Sequence, residues 1–382
     1  MSRLSSLLVV CLTFCEAATV VAAEPPTRDE VTAALRKATT FQHNQASRHG
    51  GYVYASNADL TLREGEGTTD DDTIWVQPPG TPTVGEAFLD AYDAAGDDVH
   101  LEAAKAAGRA LLLGQRQSGG WYYSISFAPE ERKKSLYRLD LEGRPAKDAV
   151  PRKDREINGG WDAWKRRKYE GNQTILDDDV TQAATRFLVR LDKTLGFEDE
   201  DVHAAAELAL KSLLTAQYPN GGWSASWDRL QSSPPSEDDY PVVNASYPQT
   251  WRKTWPKDFT GCYVTNDELM SRMIDTLLRA HEVYHDERYL DAAKRAGEFL
   301  LLAQMPAPQP AWAQQYDRNM QPVWSRAFEP PSISGRESQE IVASLIRLAD
   351  ATGKVNYLEP IPRAIAYLKA SRLPDGRACP LL

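Results

Sequence analysis

The chain repeats itself. Residues 101–115, LEAAKAAGRALLLGQ, return at 290–304 as LDAAKRAGEFLLLAQ with ten of fifteen positions identical, and 203–217, HAAAELALKSLLTAQ, fits the same frame more loosely. Tandem units of this kind bury their apolar faces by stacking on one another. Each copy is rich in Ala and Leu, with apolar residues at three- and four-residue steps, which is the period of a helix. A second helical stretch precedes each copy across a short turn: 84–95, 178–195 and 266–284. A fourth pair, 337–352 and 357–373, completes the set, and a first helix at 28–43 stands without a partner. Almost nothing alternates as a strand would, so an all-α fold is expected.

Helix pairs in tandem either stack as an open solenoid or close into an (α/α) toroid or barrel. Turns within pairs are short (Gly96-Asp97, Gly196, His285-Asp286, Gly353), whereas the loops between pairs, 116–176, 218–264 and 305–335, are long. That inequality favours closure and puts every long loop on one face, with the N-termini of the first helices. Long structured loops usually carry function. Gly119-Gly120-Trp121 and Gly221-Gly222-Trp223 follow helix ends. Glycine there supplies the left-handed cap, and the tryptophan can cover the end of the helix layer.

The N-terminus is read separately. Arg3, an apolar run from Leu7 to Cys15 and the small residues Val21-Ala22-Ala23 form a secretory signal peptide over 1–23. The expectation is a secreted or periplasmic protein whose residues 24–382 make one catalytic domain, a monomer. Of its four cysteines, Cys262 and Cys379 remain after cleavage, paired or free. The net charge of −10 excludes a general nucleic-acid binder, and no apolar run is long enough to span a membrane.

Chemistry concentrates in the loops. The stretch 118–176 is basic within an acidic chain, with thirteen Lys and Arg against nine Asp and Glu. Lys133-Lys134 and Lys165-Arg166-Arg167-Lys168 carry much of that charge, either as a solvated loop or as a rim that attracts an acidic ligand. The loop ends in Asp177-Asp178-Asp179 at a helix start. One Asp caps a helix; three crowd like charges unless a cation neutralises them, and such oxygen-rich groups suit Ca²⁺. Thr265-Asn266-Asp267-Glu268 is the equivalent place one repeat later. The third loop holds Trp312, Gln315, Tyr316, Asp317 and the segment from Ser325 to Gly335; its aromatics either pack the loop or stack on sugar rings.

The ordered series Gly-Gly-Trp, Asp177-Asp178-Asp179-Val180-Thr181-Gln182, Asn220-Gly221-Gly222-Trp223, Thr265-Asn266-Asp267-Glu268, Ala311-Trp312-Ala313-Gln314-Gln315-Tyr316-Asp317 and Ser325-Arg326-Ala327-Phe328-Glu329-Pro330-Pro331-Ser332 resembles the family 10 polysaccharide lyases, the pectate lyases with an (α/α) toroid fold. The resemblance is strongest from 159 to 335. It implies calcium-dependent cleavage of polygalacturonate, an acidic polysaccharide, by β-elimination, with an arginine as base. By position in the motifs, Asp177 and Asp267 would hold the metal and Arg326 would be the base. Asp179, Asn266, Trp223, Arg336, Gln315 and Asp317, in or beside those motifs, are the candidate substrate contacts. Neutralising a guanidinium strains the ordinary rule, so nearby cations would have to lower its pKa and activity should favour alkaline pH. Phe328 and Ser325 depart from the family's commoner Tyr and Ala.

His281-Glu282-Val283-Tyr284-His285 has the zinc-protease spacing, but the repeat frame puts it at a helix end away from the long loops. Two other classes stay open. An inverting glycoside hydrolase would use two separated carboxylates, and a non-catalytic polyuronate-binding protein needs only the cleft.

Overall fold

In the computed structural model, residues 25–146, 171–255 and 263–373 are described. Residues 1–23, Cys262, Cys379 and the basic run 165–168 lie outside them. The helices are α1 (Arg28–Phe41), α2 (Thr81–Ala95), α3 (Asp98–Gly114), the single turn α4 (Pro129–Arg132), α5 (Val180–Thr194), α6 (Glu200–Thr215), α7 (Leu269–Tyr284), α8 (Glu287–Ala303), α9 (Gly335–Thr352) and α10 (Ile361–Ala370). They form a toroid-type array of tandem pairs. The first helices α2, α5, α7 and α9 pack on one another in chain order, and α3, α6 and α8 each pack on their own partner.

The turns inside pairs follow one recipe. Gly96, His285 and Gly353 end α2, α7 and α9 in the left-handed region. Asp97, Asp199 and Asp286 then cap α3, α6 and α8, each carboxylate accepting a backbone N–H of the first turn. Helices of this second set start about one turn before the repeated apolar period does, because their first turn is polar. The last pair is interrupted at Pro360: a 3-10 turn, Val355–Leu358, precedes α10, since proline offers no N–H to continue a helix. His285 is the αL cap at the tail of α7, and the His281 ring lies 3.2 Å from the Asp286 carbonyl, so the zinc-like spacing is part of a turn.

The repeated Gln and Trp have matching jobs. The Gln115 side chain donates to the carbonyls of Gly119 and Ala205, Gln217 to those of Gly221 and Ala292, and Gln304 to those of Pro310 and Pro360. Each glutamine thus fastens the end of one pair to its own loop and to the next pair. Trp121, Trp223 and Trp312 are fully buried, and their indoles donate to the carbonyls of Leu111, Leu213 and Leu300.

Short antiparallel ladders staple the long loops together. β1 (Ala55–Ser56) pairs with β2 (Arg63–Glu64), β3 (Thr73–Trp75) with β4 (Ser124–Ser126), β5 (Thr174–Ile175) with β6 (Ser226–Trp227), and β7 (Tyr263–Val264) with β8 (Gln315–Tyr316). The last three each join the loop before a first helix to the loop one pair further on. Segments of two or three residues are too short to show alternation, which is why the sequence gives no sign of them. Among the described residues, no helix is long and apolar enough to cross a membrane.

Candidate metal centre and active site

Two ladders place the acidic groups. Thr174 in β5 holds its loop by bonding Ser118 and the Gly120 N–H, and the Leu176 N–H donates to the Ala225 carbonyl at 2.8 Å. The chain then enters Asp177. In the equivalent place after β7, the N–H groups of Thr265 and Asn266 both donate to the Gln314 carbonyl, at 2.9 and 3.2 Å, and deliver Asp267. Asp178, Asp179, Asp267 and Glu268 all have positive φ, so α5 and α7 start only after these turns, later than the apolar period suggests.

One carboxylate oxygen from each of Asp177, Asp178 and Asp267 lies within 4.8 Å of the others. A cavity of about 140 Å³ opens there, lined by Glu66, Tyr123, Asn266, Gln315, Ser325 and Arg326 besides Asp177 and Asp178. Burial and then the like charges of Asp178 and Asp267 push the Asp177 carboxyl up to about 7. Burial, Asp267 and Glu66 raise Asp178 to about 6. The Tyr123 hydroxyl donates to Asp177 at 3.2 Å, and Asn266 donates to Asp267 at 2.6 Å while accepting from Gln315 at 3.1 Å. Three hard oxygen donors, mutually repelling and partly buried, match the chemistry of a Ca²⁺ site; Asp177, Asp178 and Asp267 would hold the ion.

Arg326 stands at the mouth, its Nη2 3.7 Å from Asp267. Glu329 clamps it from the other side, accepting from Nε at 2.7 Å and Nη2 at 2.5 Å. The turn is closed by the Glu329 N–H donating to the Arg326 carbonyl at 2.8 Å. The exposed Phe328 ring lies under the guanidinium. Its hydrogen bonds to Glu329, with the charges of Glu329, Asp267 and Asp177, push the guanidinium further above its ordinary range. The cationic surroundings expected to lower it are not what the fold supplies: its closest partners are carboxylates.

Four of the candidate substrate contacts fall outside the cavity lining. Trp223 is fully buried under α6 and its N–H is spent on Leu213, so it packs the fold and cannot touch substrate. Asp179 turns away from the cavity to Arg186, 2.5 Å away; Asp178 takes the place in the cluster instead. Asp317 accepts the N–H groups of Asn319 and Gln321 and stabilises its own turn outside the cavity. Arg336, exposed, pairs with Glu268 and Glu340 outside the cavity lining, although its charge reaches Asp178. Asn266 and Gln315 do line the cavity. Lys133 and Lys134 are paired one turn back with Glu130 and Glu131, which balances the described part of the basic loop. Trp312 and Tyr316 are core residues. Glu66 and Tyr123 line the site without having been singled out in the sequence. Glu66 comes from a polar loop with no helix-start signal, whereas Tyr123 could have been suspected from its place two residues after Gly-Gly-Trp.

The pectic acid lyase family model matches residues 307–378. It marks the chain as similar to the pectate lyases over that stretch. That stretch contains Gln315, Ser325 and Arg326, one wall of the cavity, and Glu329, which holds Arg326. No curated protein matches the sequence. Among solved structures, a D-mannose isomerase shares 14% identity over 94% of this chain and 77% of its own, with a TM-score of 0.50, a likeness of fold alone. A mutant family 10 polysaccharide lyase from Cellvibrio cellulosa, in complex with trigalacturonic acid, shares 18% identity over 68% of this chain, with a TM-score of 0.42. This chain spans 66% of that lyase. A GH76 α-mannanase from Bacteroides thetaiotaomicron shares 14% identity over 92% of this chain and 74% of its own, with a TM-score of 0.42.

Proposed function

We propose that the chain is a calcium-dependent pectate lyase that cleaves polygalacturonate by β-elimination, with Arg326 as base. One observation carries the reading: Arg326 faces Asp267 across 3.7 Å at the mouth of a three-carboxylate cluster, inside a loop that matches the pectic acid lyase model. Bound calcium would supply positive charge against the substrate carboxylate and the enolate-like charge that develops when C5 loses its proton. The chain's residues do the rest. Asp177, Asp178 and Asp267 would hold the ion, Asn266 and Gln315 steady Asp267, and Glu329 fixes the plane of the guanidinium. A neutral Arg326 nitrogen takes the C5 proton, the C5–H electron pair forms the C4–C5 double bond, and the C4–O bond breaks, its oxygen taking a proton from solvent. Since Glu329, Asp267 and Asp177 all favour the charged guanidinium, the neutral form is a minor species whose share grows with pH, and a cation held by Asp177 and Asp267 would offset two of those charges. The reading extends to a secreted or periplasmic monomer whose residues 24–382 form one catalytic domain.

The test is polygalacturonate at alkaline pH, with calcium and then with chelator, following the ultraviolet absorbance of the new double bond. Calcium-dependent absorbance that Arg326→Ala lowers by about 10²- to 10⁴-fold, with oligogalacturonate binding kept, is the expected result. New reducing ends without absorbance would mean hydrolysis. Binding without turnover in the wild type would mean a carrier.

A further inference from the structure

The two acidic turns are built alike. Asp178 and Asp179 have φ of 52° and 60° ahead of α5, and Asp267 and Glu268 have 51° and 62° ahead of α7. Non-glycine residues persist in that region only where their surroundings hold them. In each turn the first carboxylate, Asp178 or Asp267, enters the cluster. The second, Asp179 or Glu268, goes to arginines on the helices behind.

Those arginines connect the turns. Arg186 of α5 donates to Asp179 at 2.5 Å, and also to the Arg272 carbonyl at 3.3 Å and the Thr276 hydroxyl at 3.0 Å on α7. Arg272, at the start of α7, pairs with Glu268 through Nη2, while its Nε lies 3.7 Å from Asp179. A single guanidinium therefore touches both turns. Three carboxylates within 4.8 Å repel one another, and the turns that carry them are strained, so something must hold the turns together from behind. Exposed ion pairs contribute little; Asp179 and Arg186 are each only 14% exposed, and Arg272, itself 40% exposed, reaches that same buried carboxylate.

We propose that Arg272 is a positioning residue: by engaging Asp179 and Glu268 together, it sets the approach of Asp178 to Asp267 and so the affinity of the cluster for a divalent cation. This rests on the metal reading above. Arg347, paired with Asp275 at 2.7 Å between α9 and α7, joins neighbouring helices away from both turns and serves as control.

The experiment measures calcium binding to the purified full chain by titration calorimetry, and terbium luminescence sensitised by Tyr123, for wild type, Arg272→Gln, Arg272→Lys and Arg347→Gln. Melting temperatures in chelator are recorded alongside. Expected is a loss of affinity of about tenfold or more for Arg272→Gln, an intermediate loss for the lysine variant, which keeps the charge but not the fork, and none for Arg347→Gln. A purely structural ion pair would lower melting temperatures and leave calcium affinity unchanged. Wild-type affinity in folded Arg272→Gln overturns the proposal and leaves the metal reading intact; a wild type that binds no calcium overturns both. If Arg272→Gln does not fold, Asp179→Asn and Glu268→Gln each break one arm of the linkage, and wild-type affinity in both overturns the proposal.

Discussion

Asp177→Asn should make the metal-free protein more stable at pH 8 while destroying calcium binding. The Asp177 carboxyl is raised from its ordinary 3.8 to about 7, first by burial and then by Asp178 and Asp267. A raised folded-state pKa means that the ionised form is disfavoured in the fold relative to the unfolded chain. The resulting stabilisation is fully present below the unfolded value and is lost as pH rises through about 7. At 1.36 kcal/mol per unit, roughly three units correspond to a cost of ~4 kcal/mol at pH 8, falling below ~1 kcal/mol near pH 4. Asparagine keeps the shape and can still accept from the Tyr123 hydroxyl, but carries no charge. Thermal unfolding in chelator should therefore show the variant several degrees above wild type at pH 8 and nearly level with it at pH 4. Adding calcium at pH 8 should raise the wild-type transition and leave the variant where it was. A variant less stable than wild type at pH 8, or one whose advantage persists unchanged at pH 4, would refute the reasoning, because either outcome means that the buried charge is not what sets the difference.

Other outcomes follow from the same structure. Trp223→Ala should cost about 3–5 kcal/mol of stability, read by denaturant unfolding, with unchanged substrate affinity in whatever fraction stays folded. Gln217→Ala removes hydrogen bonds to the buried carbonyls of Gly221 and Ala292 and should cost on the order of 2–4 kcal/mol, measured in the same way. His203 bonds the buried Asp192 at 2.7 Å, and that contact raises its pKa. Its contribution to stability should be present below its ordinary pKa and fade as pH rises through the raised one; equal loss of melting temperature at pH 6 and pH 9 in His203→Gln would contradict this.

The sequence was informative where chemistry repeats. Helix pairing was legible because the Ala and Leu periodicity recurs, and the two acidic stretches announced themselves at corresponding places before α5 and α7. The direction of each side chain was not legible. Which of Asp177, Asp178 and Asp179 face the cavity depends on two successive left-handed residues, a conformation that aspartates only occasionally adopt. Trp223 had the composition of a sugar platform, but its burial is a matter of packing against α6. Glu66 reaches the cavity from a loop more than a hundred residues away in sequence from Asp177, a placement fixed by tertiary pairing rather than by any local pattern. The clamp on Arg326 was visible as Glu329 three residues on, yet its consequence for the guanidinium charge required knowing that both nitrogens point back along the turn.

The three glutamine fasteners all run forward, from Gln115 to Ala205, from Gln217 to Ala292 and from Gln304 to Pro360. The first three pairs thus end in the same connector, and the last three present the matching carbonyl as a socket. A module that begins with such a socket and finishes with such a connector could be duplicated or lost without stranding a polar group at the junction. The ancestry of the chain would then be one of copying, with the long loops diverging on top of an interchangeable frame.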